Sequence, residues 1–275
     1  MDKVRQALDR AKLERERKAP AVTRPAPGFV GSSAVVPAER SNVVTVLPAT
    51  LERNRVVFPG VAAAPSASFR QLRAQVLQRL AERQWCTVGV VSPRASEGKT
   101  TVAVNLALAI SADPRQNAVL VDLDLHKPMV ATRFGVSPLR GVEHVLRGED
   151  SLDDCEMHPD LFNGLTIVPA SSAVPDASVL IAGSSCTTMI ADLRARHPGS
   201  VVLIDLPPIL DADEAVTIAP QLDCLLMVVA EGETLRPDLT RALELLRSTA
   251  IVGTVLNRSI EAVRSEAYGR SKYYL

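Results

Sequence analysis

The stretch VGVVSPRASEGKTTVAVNLALA, residues 88–109, decides the fold of this chain. An apolar run ends at Ser92, a short loop ends in Gly98-Lys99-Thr100, and a helical pattern of apolar residues follows. A strand that passes through Gly-Lys-Thr into a helix is the context in which backbone N–H groups at a helix N-terminus hold phosphate oxygens. The sequence therefore predicts a phosphate-binding loop, although Pro93 stands where such loops usually have their first glycine.

The end of this loop supplies the groups that a nucleoside triphosphate requires. Lys99 is expected to reach the β- and γ-phosphates, and the hydroxyl of Thr100 is expected to ligate Mg²⁺. The residues that we expect to bind the nucleotide here are Ser96, Glu97, Gly98, Lys99, Thr100 and Thr101.

Composition limits the class of protein. The chain has 275 residues and 47% apolar residues, enough for a sizeable buried core. Lys and Arg together number 31, as do Asp and Glu, and aromatic residues are only 3%, which argues against a nucleic-acid partner. The four cysteines show no Cys-x-x-Cys spacing, and no apolar run reaches the ~18–20 residues of a membrane span. These features predict a cytoplasmic protein.

The chain divides into three parts. Residues 1–65 are expected to form a charged N-terminal segment and a linker rich in Pro and Ala, extended or disordered rather than packed from about residue 19. Residues 66–257 are expected to form the P-loop domain, and residues 258–275 a polar tail.

The 66–257 region alternates short apolar runs with helical patterns. Runs of four to eight apolar residues are typical of strands that are buried on both faces. The predicted strands are 87–91, 118–121, 165–168, 201–204, 224–229 and 251–256, and the predicted helices are 68–83, 100–112, 184–196, 212–219 and 237–248. This order predicts an α/β fold, a mostly parallel sheet with helices on both faces and ligands at the carboxyl ends of its strands.

Two of these strand ends carry acidic residues. Asp122 and Asp124 follow the strand 118–121, and Asp205 follows the strand 201–204. Asp205 is predicted to hold Mg²⁺, directly or through its water, the task of a Walker B aspartate. One of Asp122 and Asp124 is expected to face the γ-phosphate while the other supports the metal or the loop. For any one of them, a helix cap or a turn is the alternative role.

Together these motifs give the chain a family resemblance. A phosphate loop, an Asp-x-Asp motif before Lys127-Pro128, and the run DLPPIL at 205–210 resemble the bacterial tyrosine kinases of capsule and exopolysaccharide synthesis, which share the fold of the partitioning and division-site P-loop ATPases. The resemblance extends from about residue 51 to the C-terminus, and it includes FRQLR at 69–73, APQLD at 219–223 and VLNR at 255–258. It implies ATP as the nucleotide, with Asn257 facing the adenine.

The resemblance also implies a reaction. All three tyrosines of the chain, Tyr268, Tyr273 and Tyr274, lie in its last eight residues. In such a family they are expected to be phosphorylated by a neighbouring subunit. Asp122 is then the expected base, and Asp124 the expected support of the metal; these two roles could be exchanged.

Partners follow from the same resemblance. The expected partner is a separate transmembrane chain, a polysaccharide co-polymerase or chain-length adaptor, that recruits this protein to the inner face of the membrane. Self-association is expected through the 66–83 helix, which carries Arg70 and Arg73 although Ala67 replaces the family's glutamate.

Three departures leave other functions open. Ala95-Ser96 replaces the usual Pro-Gly of the loop, and a serine there is expected to need a negative φ or mild strain. His126 replaces an arginine, and Arg94 lies five residues before Lys99, where partitioning-type ATPases keep a signature lysine. The alternatives are a dimeric ATPase switch that uses Arg94 in trans, and a nucleotide-binding scaffold without turnover.

Overall fold

The computed structural model describes residues 42–58 and 63–259, so the charged N-terminal segment and the three tyrosines lie outside the described residues. The strands are β1 (Val43–Val44), β2 (Thr87–Val91), β3 (Ala118–Asp122), β4 (His158–Pro159), β5 (Leu165–Val168), β6 (Val201–Asp205), β7 (Cys224–Ala230) and β8 (Ile251–Asn257). The α-helices are α1 (Pro48–Arg53), α2 (Ala63–Arg83), α3 (Lys99–Ser111), α4 (Val130–Phe134), α5 (Val142–Arg147), α6 (Leu152–Cys155), α7 (Ala177–Ala182), α8 (Ser184–Arg196), α9 (Glu214–Ile218) and α10 (Arg236–Leu245). A single 3₁₀ turn, Ala219–Gln221, follows α9.

Six strands form one parallel sheet in the order β5-β3-β6-β2-β7-β8. β2, β3, β5, β6 and β7 are buried along their whole length, because helices cover both faces of the sheet and leave no side for polar residues. β8 is an edge strand and is only partly buried. The predicted parallel α/β fold is therefore confirmed.

The core has one layer on each face of the sheet. On one face, α2, α3 and α4 pack through residues such as Leu80, Leu106 and Phe134. On the other face, the helices α5–α10 pack through residues such as Met189 and Ala242. The five helices predicted from periodicity are present, 184–196 with its predicted ends and the other four with shifted ends. The short helices α1 and α4–α7 were not predicted, since they span only four to six residues.

The expectation that the whole linker is unpacked is wrong for residues 42–58. Val46, Leu51 and Val56 are buried in the core layer beside α3 and α4. β1 pairs in parallel with β4, and the backbone N–H of Val57 donates to Asn105 Oδ1 at 2.6 Å. The prolines obscured this segment in the sequence, but Pro48 stands at the start of α1, where a missing N–H costs nothing.

The four cysteines are free thiols, as expected, and Cys155, Cys186 and Cys224 are buried. Burial raises the pKa of the Cys186 thiol to about 11, so it is a small apolar side chain rather than a nucleophile. No helix in the described part of the chain combines the length and the apolar character that crossing a membrane requires.

Candidate active site

The predicted phosphate loop connects β2 to α3 at the carboxyl edge of the sheet. β2 lies between β6 and β7, and Val90 of β2 is in register with Asp205 of β6. Asp122, the last residue of β3, is in register with Asp205 from the other side. The parallel topology therefore brings the two acidic strand ends together beside the loop, as the sequence predicts.

The loop itself depends on backbone conformations with positive φ. Gly98 has a φ of +96°, and a Cβ atom at this position would lie 2.1 Å from Asn257 Nδ2, so only glycine fits. Ser96 has a φ of +66°, so of the two expected alternatives, a negative φ or mild strain, the structure shows the strained one. A left-handed conformation outside glycine costs about 1–3 kcal/mol and persists where the surroundings hold it in place.

The surroundings do hold the loop from the β8 side. Asn257 Nδ2 donates to the backbone carbonyl of Glu97 at 2.9 Å, and the guanidinium of Arg258 donates to the carbonyl of Ser96. The Glu97 carboxylate accepts from Arg94 N at 3.0 Å and from Thr234 Oγ1 at 2.6 Å. Asn257, predicted to face adenine, thus contacts the backbone of the loop. Glu97, itself a loop residue, uses its carboxylate to hold the backbone N–H of Arg94 and the hydroxyl of Thr234.

Arg94 contacts carboxylates of its own chain. Its guanidinium lies 2.8 Å from Asp211 Oδ1 and donates to both oxygens of Asp238 at 3.2 Å. Asp211 also accepts from the backbone N–H of Ala95 at 2.9 Å. The sequence singled out Arg94 for its spacing from Lys99 but gave no sign of these two partners.

Lys99 is buried between the acidic strand ends. Its ammonium lies 2.5 Å from Asp124 Oδ2 and 3.6 Å from Asp205 Oδ1. Thr100 Oγ1 donates to Asp205 Oδ2 at 2.5 Å. Burial lowers the pKa of Lys99, but the negative charges of Asp205 and Asp124 outweigh that effect and leave its pKa raised. The lysine is therefore a fixed positive charge in a nearly dry site.

Asp205 has a donor for only one of its oxygens. Its Oδ1 atom is buried and, within the described part of the chain, has no hydrogen-bond partner. Burial raises the pKa of Asp205, against the opposing effects of Lys99 and Thr100. A buried carboxylate oxygen without a donor, next to a threonine hydroxyl, is a donor set that suits Mg²⁺, which prefers oxygen ligands. The residues predicted to hold the metal, Thr100, Asp124 and Asp205, therefore fit that role.

Asp122 has a different environment from Asp124. Its Oδ2 atom accepts from the backbone N–H groups of Met129 and Val130, both at 2.9 Å, and its Oδ1 atom accepts from Asp124 N at 3.3 Å. Burial, followed by the charge of Asp205, raises the pKa of Asp122 to about 8. Asp122 therefore holds the turn that leads to α4, while Asp124 makes the contact with Lys99.

A buried acidic residue that sequence reasoning missed is Glu214, the first residue of α9. Its Oε1 atom lies 2.7 Å from His126 Nε2, and its Oε2 atom is buried without a hydrogen-bond partner in the described part of the chain. His126 was noted only because it replaces an arginine. Glu214 lies nine residues beyond Asp205, so no strand-end signal marked it.

The sequence resembles known proteins along most of its length. The ParA family, described as NUBPL iron-transfer P-loop NTPase, matches residues 86–270. Tyrosine-protein kinase YwqD of Bacillus subtilis (strain 168) is 25% identical over 221 residues, which are 80% of this chain and 91% of that protein. The succinoglycan biosynthesis transport protein ExoP of Rhizobium meliloti (strain 1021) is 27% identical over 212 residues, and this chain spans only 26% of its length.

A solved structure agrees with these sequence matches. The VpsO kinase domain superposes with a TM-score of 0.61 and 30% identity, covering 72% of this chain and all of that domain. The match to the family covers the phosphate loop, the acidic strand ends and the last strand. The chain therefore belongs to the ParA-type P-loop NTPase family and, within it, to the bacterial tyrosine kinases.

Proposed function

We propose that this protein is an ATP-dependent protein-tyrosine autokinase that regulates the synthesis and export of a capsule or exopolysaccharide. The observation that carries the proposal is the buried cluster of Lys99, Thr100, Asp124 and Asp205 at the phosphate loop. Such a cluster brings a cation for phosphate and oxygen ligands for a metal to the N-terminus of one helix.

ATP is proposed to bind with its phosphates at the loop residues 96–101. The first N–H groups of α3 have no partners inside the helix and are available to phosphate oxygens. Lys99 would exchange its contact with Asp124 for the β- and γ-phosphates, and Thr100 and Asp205 would hold Mg²⁺, with Asp124 supporting its water shell. The metal ion, when bound, neutralises charge on the β- and γ-phosphates. Asn257, whose amide contacts the Glu97 carbonyl of the loop, is proposed to face the adenine.

Asp122 is proposed to accept the proton of the acceptor tyrosine. A tyrosine with a pKa near 10 is protonated at neutral pH, so a carboxylate within hydrogen-bond reach of its hydroxyl is useful as a base. Among the described residues, Oδ1 of Asp122 accepts only the long hydrogen bond from Asp124 N, so this oxygen has capacity for another donor. Because Asp122 is fully buried, the turn between Asp124 and Met129 must shift before a tyrosine reaches it.

The proposed acceptors are Tyr268, Tyr273 and Tyr274 of a neighbouring subunit. β8 ends at Asn257, beside the loop, and Tyr268 follows eleven residues later. Transfer between subunits is proposed because the family resemblance implies it.

Intact-mass spectrometry of the purified protein tests the reaction. With Mg²⁺ and ATP, the wild type is expected to gain one to three phosphates, each mapped to the tail, and Lys99→Met is expected to gain none. Asp122→Asn should slow phosphorylation about 10²–10⁴-fold if it removes the base. A variant with all three tyrosines changed to Phe is the matched control for the acceptors.

A mixture of two variants tests the direction of transfer. A Lys99→Met chain with an intact tail should be phosphorylated by an active chain that ends at residue 259. The kinase proposal fails if the wild type bears no tail phosphate and the mixture gives none.

The proposed partner is a separate transmembrane chain, a polysaccharide co-polymerase or chain-length adaptor, whose cytosolic tail recruits this cytoplasmic protein to the inner face of the membrane. The similarity to part of ExoP, whose name is that of a transport protein, supports this proposal. The positive charge of the N-terminal segment is partly offset by four acidic residues: Asp2, Asp9, Glu14 and Glu16. Strong binding of the purified protein to protein-free anionic vesicles would therefore contradict a protein recruiter.

Self-association is proposed to use the exposed side of α2. Arg70 is exposed there, whereas Arg73 is half-buried and donates to the carbonyl of Ala109 at 3.1 Å. Arg70 is therefore the arginine available to a second subunit. Light scattering over a range of concentrations should show weaker association for Arg70→Ala than for the wild type. If both proteins are monomers at every concentration, the proposed interface is wrong.

A further inference from the structure

We propose that Arg94 is a positioning residue of the phosphate loop, held in cis by Asp211 and Asp238, and that it keeps the loop ready for the phosphates of ATP. This inference rests on the proposed nucleotide site. It assigns a function to a residue that the spacing alone had marked as a candidate for contact with a second subunit.

The contacts of Arg94 join three segments that are far apart in sequence. Asp238 accepts two hydrogen bonds from the guanidinium, from Nε to Oδ2 and from Nη2 to Oδ1, both at 3.2 Å. Nη1 donates to Asp211 Oδ1 at 2.8 Å. The loop after β2, the segment after β6 and the first turn of α10 thus meet at one side chain. A bidentate arginine–carboxylate pair fixes geometry more strictly than a single charge contact does.

Asp211, Ser92 and Glu97 also hold the loop backbone. Asp211 uses its second oxygen to accept from Ala95 N at 2.9 Å. The carbonyl of Arg94 accepts from Ser92 Oγ at 2.7 Å, and its N–H donates to Glu97 Oε2 at 3.0 Å. The backbone of Arg94 and Ala95 is therefore fixed by side chains, and the N–H groups offered to phosphate begin at Ser96.

This loop has a particular need for such support. Gly98 is its only glycine, and Ser96 adopts a left-handed conformation that a serine does not favour by itself. A loop that keeps a costly conformation before its ligand binds must be held by contacts outside the loop. Arg94 and Asp211 provide these contacts on one side, opposite Asn257 and Arg258 on the β8 side.

Charge gives Arg94 a second effect on phosphate binding. Asp211 and Asp238 are close enough to contribute to the raised pKa of Glu97, whose main cause is burial. Without Arg94, these carboxylates would face a polyphosphate with their charge uncompensated. The effect is moderate because the Arg94 side chain is 45% exposed and water screens its charge.

The contacts that Arg94 makes within its own chain compete with a contact to a second subunit. Three guanidinium N–H donors of Arg94 already bind carboxylates of the same chain. Reaching a neighbouring site would break a bidentate pair and leave Asp211 and Asp238 without their cation. A role in cis therefore follows from the observed contacts, whereas a role in trans requires giving them up.

Hydrogen exchange of the nucleotide-free protein tests the support of the loop, followed by ATP kinetics. Arg94→Ala should speed amide exchange in residues 94–98 several-fold and raise KM for ATP roughly fivefold, with kcat changed less than about twofold. Arg94→Lys should recover part of both effects, since an ammonium pairs with only one carboxylate at a time. Asp238→Asn should reproduce part of the Arg94→Ala effect, and Arg241→Ala, an exposed arginine on the same helix, should match the wild type.

Two outcomes would overturn the proposal. The first is wild-type exchange and wild-type KM in both Arg94→Ala and Asp238→Asn. The second is a mixture of Arg94→Ala and Lys99→Met chains that turns over more ATP than the sum of the two alone, because an intact Arg94 would then be serving a neighbour's site. If the wild type binds no ATP, the proposed function fails, while the exchange measurement still decides whether Arg94 holds the loop.

Discussion

Aspartates at the two ends of the parallel sheet have environments that shift their pKa in opposite directions. At the amino end, Asp223 Oδ2 accepts from Cys86 N, Thr87 N and Thr87 Oγ1 at 2.8–2.9 Å, and Arg194 lies 3.1 Å from its other oxygen. Burial raises the pKa of Asp223, but these donors and the arginine outweigh burial and leave its pKa lowered. At the carboxyl end, burial raises the pKa of Asp205 despite the opposing effects of Lys99 and Thr100, and within the described residues its Oδ1 atom has no donor.

The difference separates a structural carboxylate from a functional one. A carboxylate that only stabilises the fold has its donors supplied by the protein itself. A carboxylate that will bind a ligand keeps an oxygen without a donor. This unsatisfied oxygen makes the nucleotide-free protein less stable. Lys99 offsets part of this loss of stability, since it places one positive charge between Asp124 and Asp205.

The largest effect is expected from removing this positive charge. Lys99→Met should weaken ATP binding about 30- to 150-fold, because charge-assisted contacts contribute on the order of 2–3 kcal/mol. It should also destabilise the nucleotide-free protein, since Asp124 and Asp205 would be buried without their cation. Calorimetry with ATP and thermal unfolding measure the two effects. Equal affinity in the wild type and the variant would contradict the assignment of the site.

The same substitution is expected to have different effects at the two ends of the sheet. Asp223→Asn should lower the free energy of unfolding by about 1–3 kcal/mol, because it disturbs a set of satisfied donors, and should leave ATP affinity unchanged. Asp205→Asn should keep or raise stability, because it removes a crowded charge, and should abolish the Mg²⁺-dependent activity. Urea unfolding together with ATP binding distinguishes the two variants. A loss of stability of the same size in both would remove the distinction between the two ends.

The last expected effect is on the pH dependence of stability. The pKa of Asp223 is lowered in the folded state, so its contribution is present above the ordinary value of 3.8 and is lost as pH falls below that value. The pKa of Asp122 is raised to about 8, so its contribution is complete below 3.8 and is lost as pH rises towards 8. The two carboxylates therefore act with opposite sign.

Urea unfolding from pH 3 to pH 8 measures both contributions. Asp223→Asn should flatten the decline below about pH 4, and Asp122→Asn should flatten the decline between about pH 4 and pH 8. Parallel curves for the wild type and Asp122→Asn would show that Asp122 remains ionised in the folded protein.

Much of the fold could be predicted from local sequence. A strand buried on both faces must be apolar along its whole length, so β2 and β5 were predicted with their observed ends. The short helices were missed because four to six residues carry too little periodicity, and residues 42–58 were missed because proline-rich composition outweighed three well-placed apolar residues.

At the candidate site, the sequence by itself determined the residues whose function depends on a strand end or a loop motif: Lys99, Thr100, Asp122, Asp124 and Asp205. Chain direction fixes where such residues lie, because the carboxyl ends of parallel strands share one edge. Only the tertiary structure decided which of them are paired and which contacts hold the loop. Arg94 meets Asp238 across 144 residues and His126 meets Glu214 across 88, and such pairings depend on strand order and helix packing rather than on local pattern.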